Sequence, residues 1–300
     1  MKLSDIVSSN EILVKDGYFE LLAQCTIFHL KNILTFLEDE KFVDYINTNK
    51  SISCVICRSE HRKQISNKNI GIICVDQPKL FFFKIHNELS KKEGLGLSFK
   101  TKIGDNCNIS PLATISNANV NIGNEVIIED NVIIKPNVTI GDGSIIRSGA
   151  IIGGQGYEYK RDKETSILRV EHAGKTIIDK YVEIKELCTI HQAVFSWDYT
   201  CIGEHSKLDA HTHLGHATKI GKRVMIGSHG NLAGNISIEN DVYIGPGVTI
   251  SNRLNIGRRS KISIGSVVTK DVDEGKTVTG NFAIDHTLFI KHLKETLDIE

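Results

Sequence analysis

The chain has 300 residues, and its 36 basic and 36 acidic side chains leave no net charge, so no electrostatic footprint for nucleic acid is expected. That length holds one large domain or two to three modest ones. The opening Met1-Lys-Leu-Ser-Asp-Ile6 lacks an apolar core of signal-peptide length, and no run reaches the roughly 18 apolar residues of a membrane span, so a cytoplasmic protein is expected.

Residues 1 to about 90 read as a small mixed domain. Leu3–Val7 and Glu20–Leu30 carry apolar residues compatible with short helix or strand, and Phe42–Ile46 reads as helix. Ser51–Arg58 and Ile70–Val75 are β-branched runs of strand length, separated by the polar Glu60–Lys68. Pro78–Leu89 reads as a helix with proline in its first turn. Helices and strands mixed in this way suggest an α/β domain over 1–98, with the Lys- and Gly-rich Ser90–Ser98 as linker. The seven cysteines (25, 54, 57, 74, 107, 188 and 201) are odd in number and scattered, unlike a disulfide framework. Cys54-Val-Ile-Cys57 has no second CxxC to complete a zinc site, so these thiols are expected to serve as small hydrophobes.

A different pattern then takes over. Aliphatic residues recur every sixth position: Ile103, Ile109, Ile115, a one-residue slip, then Ile122, Ile128, Ile134, Ile140, Ile146 and Ile152. The series resumes at Ile178 and runs to Val268, broken only at Ser196. A helix would give a period near 3.6 and a half-buried strand a period of 2, so neither explains it. Short strands joined by bends do, as in a parallel β-helix. Three hexapeptides close one triangular coil, and residues eighteen apart stack at the usual inter-strand spacing of about 4.8 Å. Gly, Asn and Asp crowd the bends, where left-handed backbone is needed.

The 26 residues from Ile152 to Ile178 are not a multiple of six, so a loop or hairpin over about 153–177 leaves the prism. Long loops on rigid scaffolds more often carry function than not. The β-helix is expected over 99–270 and a tail over 271–300, with apolar spacing at Ile284, Leu288, Phe289, Leu293 and Leu297 marking a last short helix.

The unusual polar concentration is Asp209-Ala-His211-Thr-His213-Leu-Gly-His216, flanked by His205 and His229. His216 and Asp198 each sit two positions past a six-residue mark and are eighteen apart, which puts them on one face of adjacent coils. A carboxylate that orients an imidazole and raises its basicity is a common way to hold a general base. His211 and His229 are also eighteen apart and are expected to stack. Simple solvated histidines are the bland alternative.

The segment Lys207–Gly221 resembles the catalytic stretch of the UDP-3-O-acylglucosamine N-acyltransferases of lipid A synthesis, a family of hexapeptide-repeat enzymes. Ile152-Gly-Gly-Gln-Gly-Tyr-Glu-Tyr159 resembles the family's glycine–aromatic loop, and Leu34–Phe42 its nucleotide-base motif. The resemblance implies a left-handed prism, a homotrimer, and an acyl thioester (acyl-CoA or acyl-carrier-protein) as co-substrate, with no tightly bound cofactor and no metal. It implies His216 as general base with Asp198 orienting it. Phe36, Asp39, Phe42, Tyr157, His191, Asp209 and His213 would bind the nucleotide sugar, with Phe36 and Phe42 stacking the base. Gly234, Gly245 and Arg253 would serve the acyl donor and the oxyanion. Core packing is the competing role for Phe36 and Phe42.

The departures narrow the reading. Asp39 and Phe42 stand where the family pattern has Asn and Tyr, and Arg253 where it has a second His. The family's longer helical extension is replaced by one helix, and Val278-Thr-Gly280-Asn281 resembles the closing motif of coenzyme-A-dependent sugar acetyltransferases. These changes point to an N-acyltransferase acting on a nucleotide-linked amino sugar such as a dTDP-3-amino-3,6-dideoxyhexose for surface polysaccharide, with the lipid A enzyme itself as the alternative. A metal hydration site is a further alternative, since His211 and His216 have the five-residue spacing of two zinc ligands in γ-class carbonic anhydrases, although the third would fall at Lys175. A non-catalytic scaffold would need neither the histidine cluster nor a nucleotide domain.

Overall fold

The computed structural model describes residues 1–7, 12–92, 99–162, 166–280 and 283–297. Most of the expected linker, and Asn281 of the closing motif, lie outside these described residues.

The N-terminal domain is a five-stranded sheet: β1 (Ile12–Lys15), β2 (Leu21–Leu22), β3 (Ile33–Leu37), β4 (Ile52–Cys57) and β5 (Gly71–Cys74), in the order β1-β5-β4-β3-β2. Only β1 runs antiparallel to its neighbour. Helix α1 spans Val43–Thr48 and α2 spans Pro78–Lys92. Alternation along the strands splits the core in two. Leu34, Cys54, Ile56 and Ile73 join Phe82, Phe83 and Ile85 of α2, while Ile33, Leu37, Val55 and Cys57 join Ile46 of α1. Cys54 and Cys57 therefore face opposite sides of β4. Burial, with Cys74 beside it, pushes the Cys57 thiol up to about 12, so it is an inert apolar side chain.

The rest is the left-handed β-helix that the resemblance implies, three parallel sheets of nine, eight and eight strands. The six-residue series forms its interior: Ile128, Ile140, Ile190, Ile202, Leu214, Leu232 and Ile250 are all buried in one cluster. Stacking at eighteen holds where expected, as in Ile220 on Ile238 and Ile226 on Ile244. Strand pairing extends to Val278, which sits on Ile262. Helix α3 (His286–Leu297) follows, with Leu288, Phe289 and Leu293 exposed. Among the described residues no helix is long and apolar enough to cross a membrane.

Two insertions interrupt the coils. The first is the expected one. Ile140 pairs with Ile178, and between them Tyr159–Arg161 and Ile167–Arg169 form an antiparallel hairpin. The second was hidden in the sequence. Ile178 pairs with Ile202, and Ile190 with Leu214, twenty-four residues apart instead of eighteen. Six extra residues leave the prism there, and Ser196 interrupts the series because it never was a coil position. Within this bulge, Phe195 stacks on Trp197 at 5.6 Å between centroids and meets the rings of Phe82 and His86 at 6.1 and 5.3 Å. Both insertions meet α2: Asn87 Nδ2 donates to Arg169 O at 2.7 Å, and His86 Nε2 lies 2.8 Å from Glu171 O. The N-terminal domain is thus seated on the prism by the two segments that break its period.

Candidate active site

His216 occupies the turn after the strand His213–Leu214. Successive coils pass so closely here that a Cβ on Gly215 would lie 2.5 Å from the Gly234 nitrogen, and one on Gly234 would lie 2.7 Å from His216 Nε2. Glycine at 234 leaves the space that the imidazole fills. Gly234's amide makes no backbone hydrogen bond among the described residues.

Among the described residues, the carboxylate that meets the ring comes from the hairpin segment. Glu158 Oε2 lies 3.5 Å from His216 Nε2, while Glu158 Oε1 is paired with Lys160 Nζ. Lys160 in turn sits 4.5 Å over the ring of Phe83 from α2. Prism, hairpin and N-terminal domain therefore converge on His216, whose side chain keeps 15% exposure.

Three more histidines line the same junction. His172 crosses His216 edge-on at 5.6 Å between centroids, and His191 crosses His213 at 4.6 Å. His213 Nδ1 is 2.8 Å from Thr189 Oγ1. Burial is the main cause that depresses the pKa of all four. His172 falls to about 3, with His216 beside it, and His191 to about 4, with His213 beside it. His213 is lowered by burial alone. His216 is lowered by burial and by the charges of Lys160 and Arg253, against which Asp198 acts to raise it. Burial, with Lys79 and Arg253 nearby, lowers Lys160 to about 8. At neutral pH the imidazole of His216 is therefore a free base. Among the described residues, His172 Nε2 is buried without a hydrogen-bond partner. From His172 a groove of about 560 Å³ runs along the earlier coils past Gln155, Asn137 and Asn119.

The residues expected from sequence divide into groups. Asp198 does neighbour His216, since Cys201 pairs with Lys219 in the same register. Its carboxylate is engaged elsewhere, however: Oδ1 lies 2.7 Å from Lys219 Nζ and accepts from the Tyr199 amide at 2.7 Å. Asp198 acts on His216 through its charge, and the contact carboxylate is Glu158. His191, His213, Gly234 and Arg253 belong to the same neighbourhood as His216.

Others lie apart. Asp209 caps its own turn by accepting from the Ala210 amide at 2.9 Å, in the stack of turns that Gly245 also occupies. That is a different edge of the prism from Gly234. Tyr157 is 88% exposed and touches Tyr159 at 4.9 Å. Phe36 and Phe42 do not form one platform. Phe36 packs on Phe82 at 5.0 Å on the α2 side of the sheet, and Phe42 joins the α1 side near Tyr45 at 6.2 Å. Asp39 accepts from the Lys41 amide at 3.1 Å and caps the short turn before α1. His211 and His229 do stack, at 4.8 Å, on an exposed corner.

Glu158, Lys160 and His172 were not singled out from the sequence. Glu158 stands inside the glycine–aromatic loop motif, but nothing in its spacing shows which side chain turns toward His216.

Comparison with known proteins places these features. Residues 119–154 match the model described as bacterial transferase hexapeptide (six repeats). The chain is 31% identical over 134 residues to the UDP-3-O-acylglucosamine N-acyltransferase of Campylobacter lari, covering 45% of this chain and 41% of that one. It is 28% identical over 201 residues to the acyl-[acyl-carrier-protein]–UDP-N-acetylglucosamine O-acyltransferase of Campylobacter concisus, covering 66% and 73%. It thus spans about two fifths of the length of the N-acyltransferases it matches. The UDP-N-acetylglucosamine acyltransferase structure from Campylobacter jejuni shares the fold, with a TM-score of 0.54 at 22% identity over 66% of this chain and 79% of that one.

Proposed function

We propose that this chain, which belongs to the hexapeptide-repeat transferases, moves an acyl group from a thioester to the amine of a nucleotide-linked amino sugar, such as a dTDP-3-amino-3,6-dideoxyhexose. The observation that carries this reading is a neutral, mostly buried imidazole, His216, that faces a carboxylate and lies over a glycine. The acceptor nitrogen attacks the thioester carbonyl, and His216 takes its proton. The Gly234 amide is suited to face the developing oxyanion, since among the described residues it has no backbone acceptor to give up. The C–S bond breaks, and the imidazolium returns its proton to the departing thiolate. Arg253 and Lys160 supply positive charge near the reacting centre. The donor is coenzyme A or carrier protein, and three copies of the chain would place the donor groove between neighbours.

The second reading, transfer to UDP-3-O-acylglucosamine from acyl-carrier-protein, is favoured by the names of the N-acyltransferase relatives. Phe36 and Phe42 pack on opposite faces of the sheet, so under either reading they do not stack one base between them. Calorimetric titration with dTDP and with UDP separates the two. Tenfold tighter dTDP, about 1.4 kcal/mol, supports the deoxysugar, and tighter UDP supports the lipid A substrate. Acyl transfer by His216→Ala should be about 10²- to 10⁴-fold slower than wild type. Turnover within threefold of wild type removes His216 from the role.

A further inference from the structure

The relatives named above include one that acylates nitrogen and one that acylates oxygen. The pairing around Glu158 bears on that choice. Its two carboxylate oxygens have separate duties: Oε1 is held by Lys160, and Oε2 is turned to His216 Nε2. The 3.5 Å between Oε2 and Nε2 is wider than a hydrogen bond. Both atoms are acceptors when neutral His216 carries its proton on Nδ1, the tautomer that the seat requires. One small donor placed against both atoms would satisfy the two together. The side chains of Glu158, Lys160 and His216 are only 21%, 13% and 15% exposed, so a donor here is largely removed from water.

We infer that Glu158 Oε2 and His216 Nε2 together form a two-acceptor seat for the primary amine of the acceptor, and that Glu158 is the residue that selects an amine over a hydroxyl. The inference rests on the acyltransferase reading and deepens it. A primary ammonium has three N–H donors and a positive charge, so it bonds both acceptors at once. A hydroxyl has one donor and leaves either the carboxylate or the imidazole without a partner, which costs binding in a desolvated site. Lys160 fixes the carboxylate through Oε1 and lies against Phe83, so the seat is rigid before the acceptor arrives. The chemistry then balances. The seated ammonium first loses one proton to water through Nε2, and the neutral amine keeps N–H bonds to Nε2 and Oε2. Its lone pair forms the C–N bond as Nε2 takes a second proton from the nitrogen. The C–S bond then breaks, the imidazolium protonates the thiolate, and a neutral amide leaves the seat.

The experiment uses the full chain with an acyl-CoA and two pairs of acceptors: a dTDP-3-amino-3,6-dideoxyhexose with its 3-hydroxy counterpart, and a UDP-linked 2-amino sugar with its 2-hydroxy counterpart. Thioester cleavage is read as released thiol. Wild type should prefer the amine within a pair. Glu158→Gln should lose about 10- to 100-fold in kcat/KM on the amine, with KM for the acyl-CoA unchanged. The loss should grow at lower pH, where more of the acceptor is ammonium, and Glu158→Asp should restore part of it. Glu158→Gln within threefold of wild type with an unaltered pH profile overturns the inference and leaves the acyltransferase reading standing. So does a wild type that prefers the hydroxyl acceptor. Release of thiol with none of the four acceptors overturns both.

Discussion

Trp197 donates its indole N–H to the carbonyl oxygen of Leu22 at 2.9 Å, a bond between residues 175 apart in sequence. It fastens the second insertion of the prism to an edge strand of the N-terminal sheet. Trp197 also stacks on Phe195, which reaches the aromatic cluster under α2. Trp197→Ala should therefore loosen the seating of the N-terminal domain, at a cost of about 3 kcal/mol. Trp197→Phe keeps the stack and loses only the hydrogen bond, roughly 1 kcal/mol. Urea unfolding checks both. In the alanine variant a separate early transition of the N-terminal domain is expected, while a single transition with an unmoved midpoint would contradict this role.

Gly234 offers a test that leaves every polar group of the site in place. A methyl group there would meet the imidazole of His216 at 2.7 Å. The ring is the side that can move, so Gly234→Ala should displace His216 and cost little stability. Misplacement of a base by about 1 Å is worth on the order of 10² in rate. Turnover should fall by about that factor with a melting temperature close to wild type. Equal turnover would show that the ring is not used in this position.

The prism was legible because a coil of fixed length forces a fixed sequence period, and Ile152 to Ile178 showed the hairpin because its length breaks the phase. The second insertion adds six residues, so Ile190 and Ile202 stay in phase and only Ser196 betrays it. Outside the prism no period constrains orientation. Phe36 and Phe42 are six apart like ladder residues, yet a strand and a turn send them to opposite faces of a sheet. Glu158 belongs to a hairpin segment whose placement is set by contacts with α2, among them Asn87 and His86. Such contacts between distant parts of the chain have no local signature.

Asp198 acts on His216 by charge while it holds Lys219, which makes a specific prediction for the pH dependence of acyl transfer. With His216 as the proposed base, the rate should fall on the acid side as the ring is protonated. A nearby negative charge favours the protonated form. Asp198→Asn removes it, lowers the His216 pKa further, and should move the acid limb of the pH–rate profile to lower pH. At neutral pH the weaker base should also be slower. An acid limb that stays in place in Asp198→Asn would mean that another group titrates there.

His172 ties the stability of the assembly to pH. It is 2% exposed, and burial together with the charge of His216 lowers its pKa from 6.5 to about 3. A histidine lowered in the folded state binds its proton more readily when unfolded. Its contribution is therefore complete above pH 6.5 and is lost as pH falls from there toward about 3. Each pH unit in that window is worth about 1.4 kcal/mol, so His172 alone should remove about 2 kcal/mol between pH 6.5 and pH 5. His191, His213, His216 and His86 are shifted in the same direction and steepen the loss. His172→Asn keeps a donor near the Val170 carbonyl, which His172 Nδ1 meets at 3.2 Å, and removes the titration. The variant should lose less stability than wild type between pH 7.5 and pH 5, and should take up about one proton fewer on unfolding at pH 5. Parallel stability–pH curves for the two proteins would show that His172 titrates alike in the folded and the unfolded chain.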